Sequence, residues 1–128
     1  EKNPMSILIA EDNAVNQKIL LHSFRKLGYQ PDIVSNGKEV LDAVKIKRYD
    51  LLFTDLQMPE MDGLKAAKEL RKQWNKNQLV IIISSSDIFT DSSLLNEGAL
   101  IQDVLTKPVT LSSLKNCLSN WSNNPSIH

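Results

Sequence analysis

Three acidic clusters stand where apolar runs of this chain end, and a lysine stands at the end of another. Glu11 and Asp12 follow Ile7-Leu8-Ile9-Ala10, and Asp55 follows Leu51-Leu52-Phe53-Thr54. Asp62 lies in the loop Gln57-Met58-Pro59-Glu60-Met61-Asp62-Gly63, and Lys107 follows Val104-Leu105-Thr106. Carboxylates gathered at one place repel one another unless a cation sits between them. The set therefore describes a hard-metal pocket with one carboxylate left over for chemistry. Mg2+ suits it, taking oxygen ligands, keeping several waters and binding through one or two carboxylates plus a phosphate. Asp55 is the candidate nucleophile, since a carboxylate can attack phosphorus to give an acyl phosphate while the metal offsets the charge.

Lys107 can bridge Asp55 before such a reaction and a phosphate oxygen after it. Pro108 fixes the turn that aims the lysine, and a cis Lys107-Pro108 bond is expected. Ser84, directly after Val80-Ile81-Ile82-Ile83, brings a hydroxyl that can donate to a phosphate oxygen. Ser85 is small enough to leave room for a phosphodonor, and Ser86 follows it. Each feature has a plainer reading: Glu11 and Asp12 as helix-capping acids, Lys107 as a surface lysine, the serines as a loop.

The elements that must position these residues alternate in type. Ser6–Ala10, Asp32–Ser35, Leu51–Thr54, Leu79–Ile83 and Asp103–Thr106 read as short strands. Their nearly continuous hydrophobicity is what a parallel sheet covered on both faces requires. Between them, Val15, Ile19, Leu20, Phe24 and Leu27 form a helical stripe closed by Gly28 as a C-terminal cap. Val40, Leu41 and Val44 form a second behind Asn36-Gly37, and Leu64, Ala67, Leu70 and Trp74 a third behind Asp62-Gly63. A fourth helix is expected over Asp87–Asn96, ending at Gly98, and a fifth from Thr110 with Leu111, Leu114, Leu118 and Trp121 on one face. Strand–helix alternation predicts right-handed crossovers and an α/β, doubly wound five-stranded parallel sheet with five helices. The carboxyl ends of such strands face one crevice, the usual ligand site.

Length and composition narrow the class. At 128 residues the chain is one domain with enough surface to bury a core. Its expected core spans about 6–121, and the polar tail 122–128 is expected to be disordered. Fifteen acidic residues balance fifteen basic ones, so the basic excess of nucleic-acid-binding domains is missing. Lys45-Ile46-Lys47-Arg48 and 65–72 read as solvated helix faces. Cys117, the one cysteine, sits among Leu114, Leu118 and Trp121 at helical spacing and reads as a buried apolar residue in a reducing compartment. No apolar run reaches membrane-spanning length and no signal peptide is present. The absent initiator methionine suggests a domain cut from something longer.

Competing chemistries fit poorly. The four glycines, at 28, 37, 63 and 98, are too scattered for a dinucleotide-binding loop or a P-loop. His22 and His128 assemble no His/Cys metal set. A haloacid-dehalogenase-type phosphatase wants an aspartate two residues after the nucleophile, where this chain has Gln57.

From about Ser6 to Trp121 the chain resembles the receiver (CheY-like, flavodoxin-like) domain of two-component response regulators. Asp55-Leu56-Gln57-Met58-Pro59-Glu60-Met61-Asp62-Gly63 is similar to the family's signature around the phosphoacceptor, and Glu11-Asp12-Asn13 and Lys107-Pro108 match the remaining core motifs. The resemblance implies that Asp55 takes a phosphoryl group from a phosphohistidine of a histidine kinase or histidine phosphotransfer domain. It implies that Glu11, Asp12, Asp55 and the backbone carbonyl of Gln57 organise Mg2+, with Ser84 as the switch hydroxyl and Lys107 as the phosphate-bridging lysine. Gln57 and Ser86 occupy positions that in the family set phosphoaspartate lifetime. Glu11-Asp12-Asn13-Ala14-Val15-Asn16-Gln17 looks most like receivers fused to hybrid sensor histidine kinases. A cytoplasmic monomer or weak dimer, with no nucleic-acid or membrane contact of its own, is the corresponding expectation.

Two departures stand out. Val104 occupies a position three before the lysine that is often aromatic in the family. The stretch from Gly98 to Lys107 is about two residues longer than the common pattern, with Leu100-Ile101 where acids are frequent. The family's aromatic readout, and dimerisation through its fourth helix, fifth strand and fifth helix, are therefore not implied. Two other functions stay open: an unphosphorylated pseudo-receiver that only docks a partner, and a small aspartyl-phosphate phosphatase.

Overall fold

In the computed structural model, residues 5–55, 63–73, 79–85 and 101–122 are described. The Gln57–Asp62 loop, Trp74, Ser86, the helix expected over Asp87–Asn96, Gly98, Leu100 and the end of the tail lie outside them. Five strands form one parallel sheet: β1 (Ile7–Ala10), β2 (Asp32–Val34), β3 (Leu51–Asp55), β4 (Val80–Ser85) and β5 (Asp103–Thr106). The helices described are α1 (Ala14–Lys26), α2 (Gly37–Ile46), α3 (Gly63–Leu70) and α4 (Leu111–Ser122). The last includes Ser122, which the sequence assigned to the tail.

Alternation along each strand sorts the core into two halves. Leu8, Ala10, Leu52, Ile81 and Ile83 pack on one face with Val40, Ala67 and Leu70 from α2 and α3. Ile7, Ile9, Leu51, Phe53, Val80 and Ile82 pack on the other with Leu20, Phe24, Leu114 and Leu118 from α1 and α4. Both faces are covered, which is why the strands read as unbroken apolar runs. Phe24 meets Phe53 edge-to-face at 5.6 Å, a favoured aromatic geometry.

The helix ends follow the expected local chemistry. Asn13 Oδ1 accepts from the Asn16 N–H, and Asn36 Oδ1 from the Glu39 N–H, so each asparagine caps a helix start. Thr110 and Ser113 cap α4 reciprocally, Thr110 Oγ1 accepting from Ser113 N–H and Ser113 Oγ from Thr110 N–H. Gly28, at φ +98°, ends α1: its N–H donates to Arg25 O and the Tyr29 N–H to Phe24 O, the paired bonds of a Schellman turn.

Two stripes differ from their prediction. Leu20 and Phe24 are buried, but Val15 and Ile19 are 65% and 53% exposed. Residues turn by about 100° each along a helix, so Ile19 lies about 140° from Phe24 and cannot face the same sheet. In α4, Leu111 is exposed while Leu114 and Leu118 are buried.

The strand order is β2-β1-β3-β4-β5. The chain leaves β1 toward one side and returns on the other, so the topological switch point falls between β1 and β3, where ligands bind in open α/β sheets.

Candidate functional site

Glu11 and Asp12 directly follow β1, and Asp55 is the final residue of β3 rather than the first beyond it. Because these strands are neighbours in register (Ala10 opposite Thr54), their terminal acids flank the switch point. Carboxylate oxygens of Glu11, Asp12 and Asp55 lie within 4.8 Å of one another. Glu11 and Asp55 are buried, whereas Asp12 is exposed at the rim.

Ser84 and Ser85 lie within β4, not after it, since that strand runs to Ser85. Ser84 is the register partner of Asp55, and both serines are buried. Thr106 pairs with Ser85, and the Lys107 N–H continues the ladder by donating to Ser85 O at 2.8 Å. That bond places Lys107 at the mouth of the crevice, its Nζ 3.0 Å from Asp55 Oδ1. The following bond to Pro108 is cis, as expected. Five of the predicted residues thus converge: Glu11, Asp12, Asp55, Ser84 and Lys107, with Ser85 beside them. Gln57 and Ser86 lie outside the described residues. Val104, opposite Ile83, packs partly buried against the α2/α3 half of the core.

The electrostatics are those of a site short of positive charge. Burial pushes the Glu11 carboxyl above its ordinary range, and the negative charge of Asp55 pushes the same way. The Asn13 N–H, donating to Glu11 Oε2 at 3.1 Å, and the Lys107 ammonium pull back. Opposite ligands of an octahedral Mg2+ stand about 4.2 Å apart, and the three carboxylates, gathered within 4.8 Å of one another, offer the oxygen donors that such an ion takes. A hard divalent cation would also balance the charge left over by one lysine among three acids.

Beside the acids opens a cleft of about 380 Å3, with Glu11, Ser84 and Lys107 at its polar end and Ile19, Leu20 and Pro108 among its apolar walls. The sequence reading missed this apolar side. Its signal was the excess width of the α1 stripe: Val15 and Ile19 are more apolar surface than one buried face can use.

Comparison with known proteins agrees with this architecture. A sequence profile described as the response regulator receiver domain matches residues 7–119. The receiver domain of sensor histidine kinase PA1611 from Pseudomonas aeruginosa, whose crystal structure has a magnesium ion coordinated in the active-site cleft, superposes with a TM-score of 0.84 at 30% identity, covering 95% of this chain and all of that one. The receiver domain in the Saccharomyces cerevisiae complex of Ypd1 with Ssk1 superposes with a TM-score of 0.79 at 31% identity, covering 92% of this chain and 88% of that one. Among curated proteins, sensor protein EvgS of Escherichia coli is 35% identical over 115 residues, which are 90% of this chain and 9% of that protein. Hybrid signal transduction histidine kinase K of Dictyostelium discoideum is 30% identical over 122 residues, 89% of this chain and 10% of that protein. The chain thus spans about a tenth of the length of these two curated relatives. Its residues from β1 to α4 form a member of the response regulator receiver domain family.

Proposed function

We propose that this chain accepts a phosphoryl group on Asp55 from a phosphohistidine, with Mg2+ held by Glu11, Asp12, Asp55 and the backbone carbonyl of Gln57. The observation that carries the reading is the 3.0 Å pairing of Lys107 with Asp55 inside a three-carboxylate cluster. An Asp55 oxygen attacks phosphorus, the P–N bond breaks, and its electron pair stays on the imidazole nitrogen. Lys107 then exchanges its carboxylate partner for a phosphate oxygen, and the Ser84 hydroxyl donates to another. Mg2+, when bound, offsets negative charge between nucleophile and phosphoryl group. The new contacts bias a two-state surface. Ser85, being small, leaves room for the phosphodonor, Gln57 and Ser86 tune the lifetime of the phosphoaspartate, and Val104 replaces a swinging aromatic with a packed aliphatic residue.

The phosphodonor is a histidine kinase or a histidine phosphotransfer protein. Exposed Ile19, part of the apolar wall of the cleft, and exposed Val15, one turn before it on α1, suit docking of such a partner with its imidazole directed at Asp55. Similarity to hybrid signal transduction histidine kinase K supports placement in a hybrid histidine kinase, and a cytoplasmic position of this domain goes with that reading. Among the described residues no helix is long and apolar enough to cross a membrane.

The test is exposure to acetyl phosphate or phosphoramidate with and without Mg2+, followed by intact-mass measurement. One Mg2+-dependent phosphoryl adduct is expected, absent from a folded Asp55→Asn variant. An adduct on Asp55→Asn would sink the site assignment. No adduct, even from a histidine phosphotransfer partner, would leave a docking module.

A further inference from the structure

Gln17 is not one of the candidate ligands, yet it joins the two loops at the carboxyl end of the sheet. Its Nε2 donates to the main-chain carbonyl of Glu11 and lies 3.4 Å from Ser35 Oγ. Ser35 is itself held, because its N–H donates to Glu39 Oε1 at 2.7 Å and Glu39 is tied to the α2 cap through Asn36. On the other side, the Glu11 N–H donates to Val34 O at 3.0 Å, extending the β1–β2 ladder by one bond. Glu11 is therefore anchored at its N–H, at its carbonyl and, through Asn13, at one carboxylate oxygen.

The carbonyl anchor matters most for the acids. Glu11 C=O belongs to the peptide unit that joins Glu11 to Asp12, and that unit is planar. Holding its oxygen sets the rotation of the whole plane, and with it the direction in which the Asp12 Cα leaves the strand. One side-chain amide thus sets the relative placement of two candidate ligands from two different positions. Gln17 sits one turn into α1, whose start is capped by Asn13, so the amide is delivered by a rigid element. The orientation is unambiguous, since a carbonyl oxygen can only accept and the NH2 end of Gln17 must face it.

We propose that Gln17 is a positioning residue for the metal site, holding the Glu11–Asp12 peptide plane so that both carboxylates converge with Asp55. The proposal rests on the Mg2+ reading given above. Outer-shell partners of this kind typically change metal affinity by about 10–100-fold when removed. Gln17 is partly exposed, and its loss should leave the apolar core untouched.

The experiment is a Mg2+ titration of the unmodified chain, Gln17→Met and Asp12→Ala, followed by backbone amide shifts in NMR. Methionine keeps the length and shape of the side chain while removing the donor. Gln17→Met should weaken Mg2+ binding by about tenfold and move the metal-free melting temperature by no more than about 3 °C. Affinity within twofold of the unmodified chain would overturn the proposal while leaving the metal site intact. Shift changes spread through β3 and β4 without metal would also overturn it, since they would mark a general packing role. Should Gln17→Met fail to fold, Ser35→Ala releases only the far anchor, and a two- to threefold weakening is expected; none would overturn the proposal. Failure of the unmodified chain to bind Mg2+ would overturn the underlying site reading as well.

Discussion

Glu11 and Asp32 mark opposite ends of the same parallel sheet, and their surroundings treat a carboxylate in opposite ways. Asp32 begins β2 at the amino end of the sheet. Its Oδ2 accepts from Tyr49 Oη at 2.7 Å and from Lys47 Nζ at 3.0 Å, and Lys47 also lies 5.3 Å from the centre of the Tyr49 ring. These bonds, that from Tyr49 foremost, hold Asp32 below the ordinary carboxylate range, while burial and its bond to Asp32 push the Tyr49 phenol up to about 12. Glu11, beyond the carboxyl end of β1, is 2% exposed, and burial drives it the other way. The protein supplies Asp32 with its cation and its donor. At Glu11 it gathers two further acids and one lysine, leaving an excess of negative charge. Structural acids are compensated by the chain itself; acids left under-compensated in a crevice mark a site.

The largest expected effect that tests this contrast comes from Glu11→Gln. Losing a proposed ligand should lower Mg2+ affinity by at least the roughly tenfold typical of an outer-shell change, measured by calorimetric titration. The same substitution should stabilise the metal-free protein at neutral pH, because a carboxyl with a raised folded pKa favours folding only in its neutral form. Asp32 supplies the counterpart: Tyr49→Phe should cost about 1 kcal/mol of unfolding free energy in urea and leave Mg2+ affinity unchanged. A drop in Mg2+ affinity on Tyr49→Phe would erase the separation between the two ends.

The pH dependence should divide the two acids in the absence of metal. Stability contributed by Glu11 is present below 4.5 and lost as pH rises through its raised folded value. Stability contributed by Asp32 is present above 3.8 and lost as pH falls through its lowered folded value. Urea midpoints of Glu11→Gln should therefore gain on the parent as pH rises above 4.5, and those of Asp32→Asn should approach the parent below 3.8. Parallel profiles would contradict the comparison. The smallest effect is expected for Lys47→Met, whose pair with Asp32 is about half exposed on both sides; such pairs contribute roughly 0.2–1 kcal/mol, and added salt should shrink the difference.

The strands were legible because a sheet covered on both faces forces apolar residues at consecutive positions, as at Val80–Ile83. Gly28 and Asn36 were legible because each answers a local backbone demand, a positive φ or an unpaired N–H. The exposure of Val15 and Ile19 was not, since an apolar arc wider than one helix face does not declare which part turns inward. Gln17 was invisible as an anchor for a different reason. Its partners, the carbonyl of Glu11 and the hydroxyl of Ser35, become neighbours only when β2 pairs with β1.

Residue types along the chain set which chemistry is available: oxygen donors, one ammonium and small hydroxyls, each tied to the end of an apolar run by covalent adjacency. Their order also sets the alternation of strand and helix, because side-chain periodicity is a local property. It takes the assembled sheet to make β1 and β3 neighbours, to set Asp55 opposite Ser84, and to carry Lys107 along the β5 ladder to within 3.0 Å of Asp55. Strand order arises from which faces the crossing helices cover. That is a long-range packing outcome which no short stretch of residues contains.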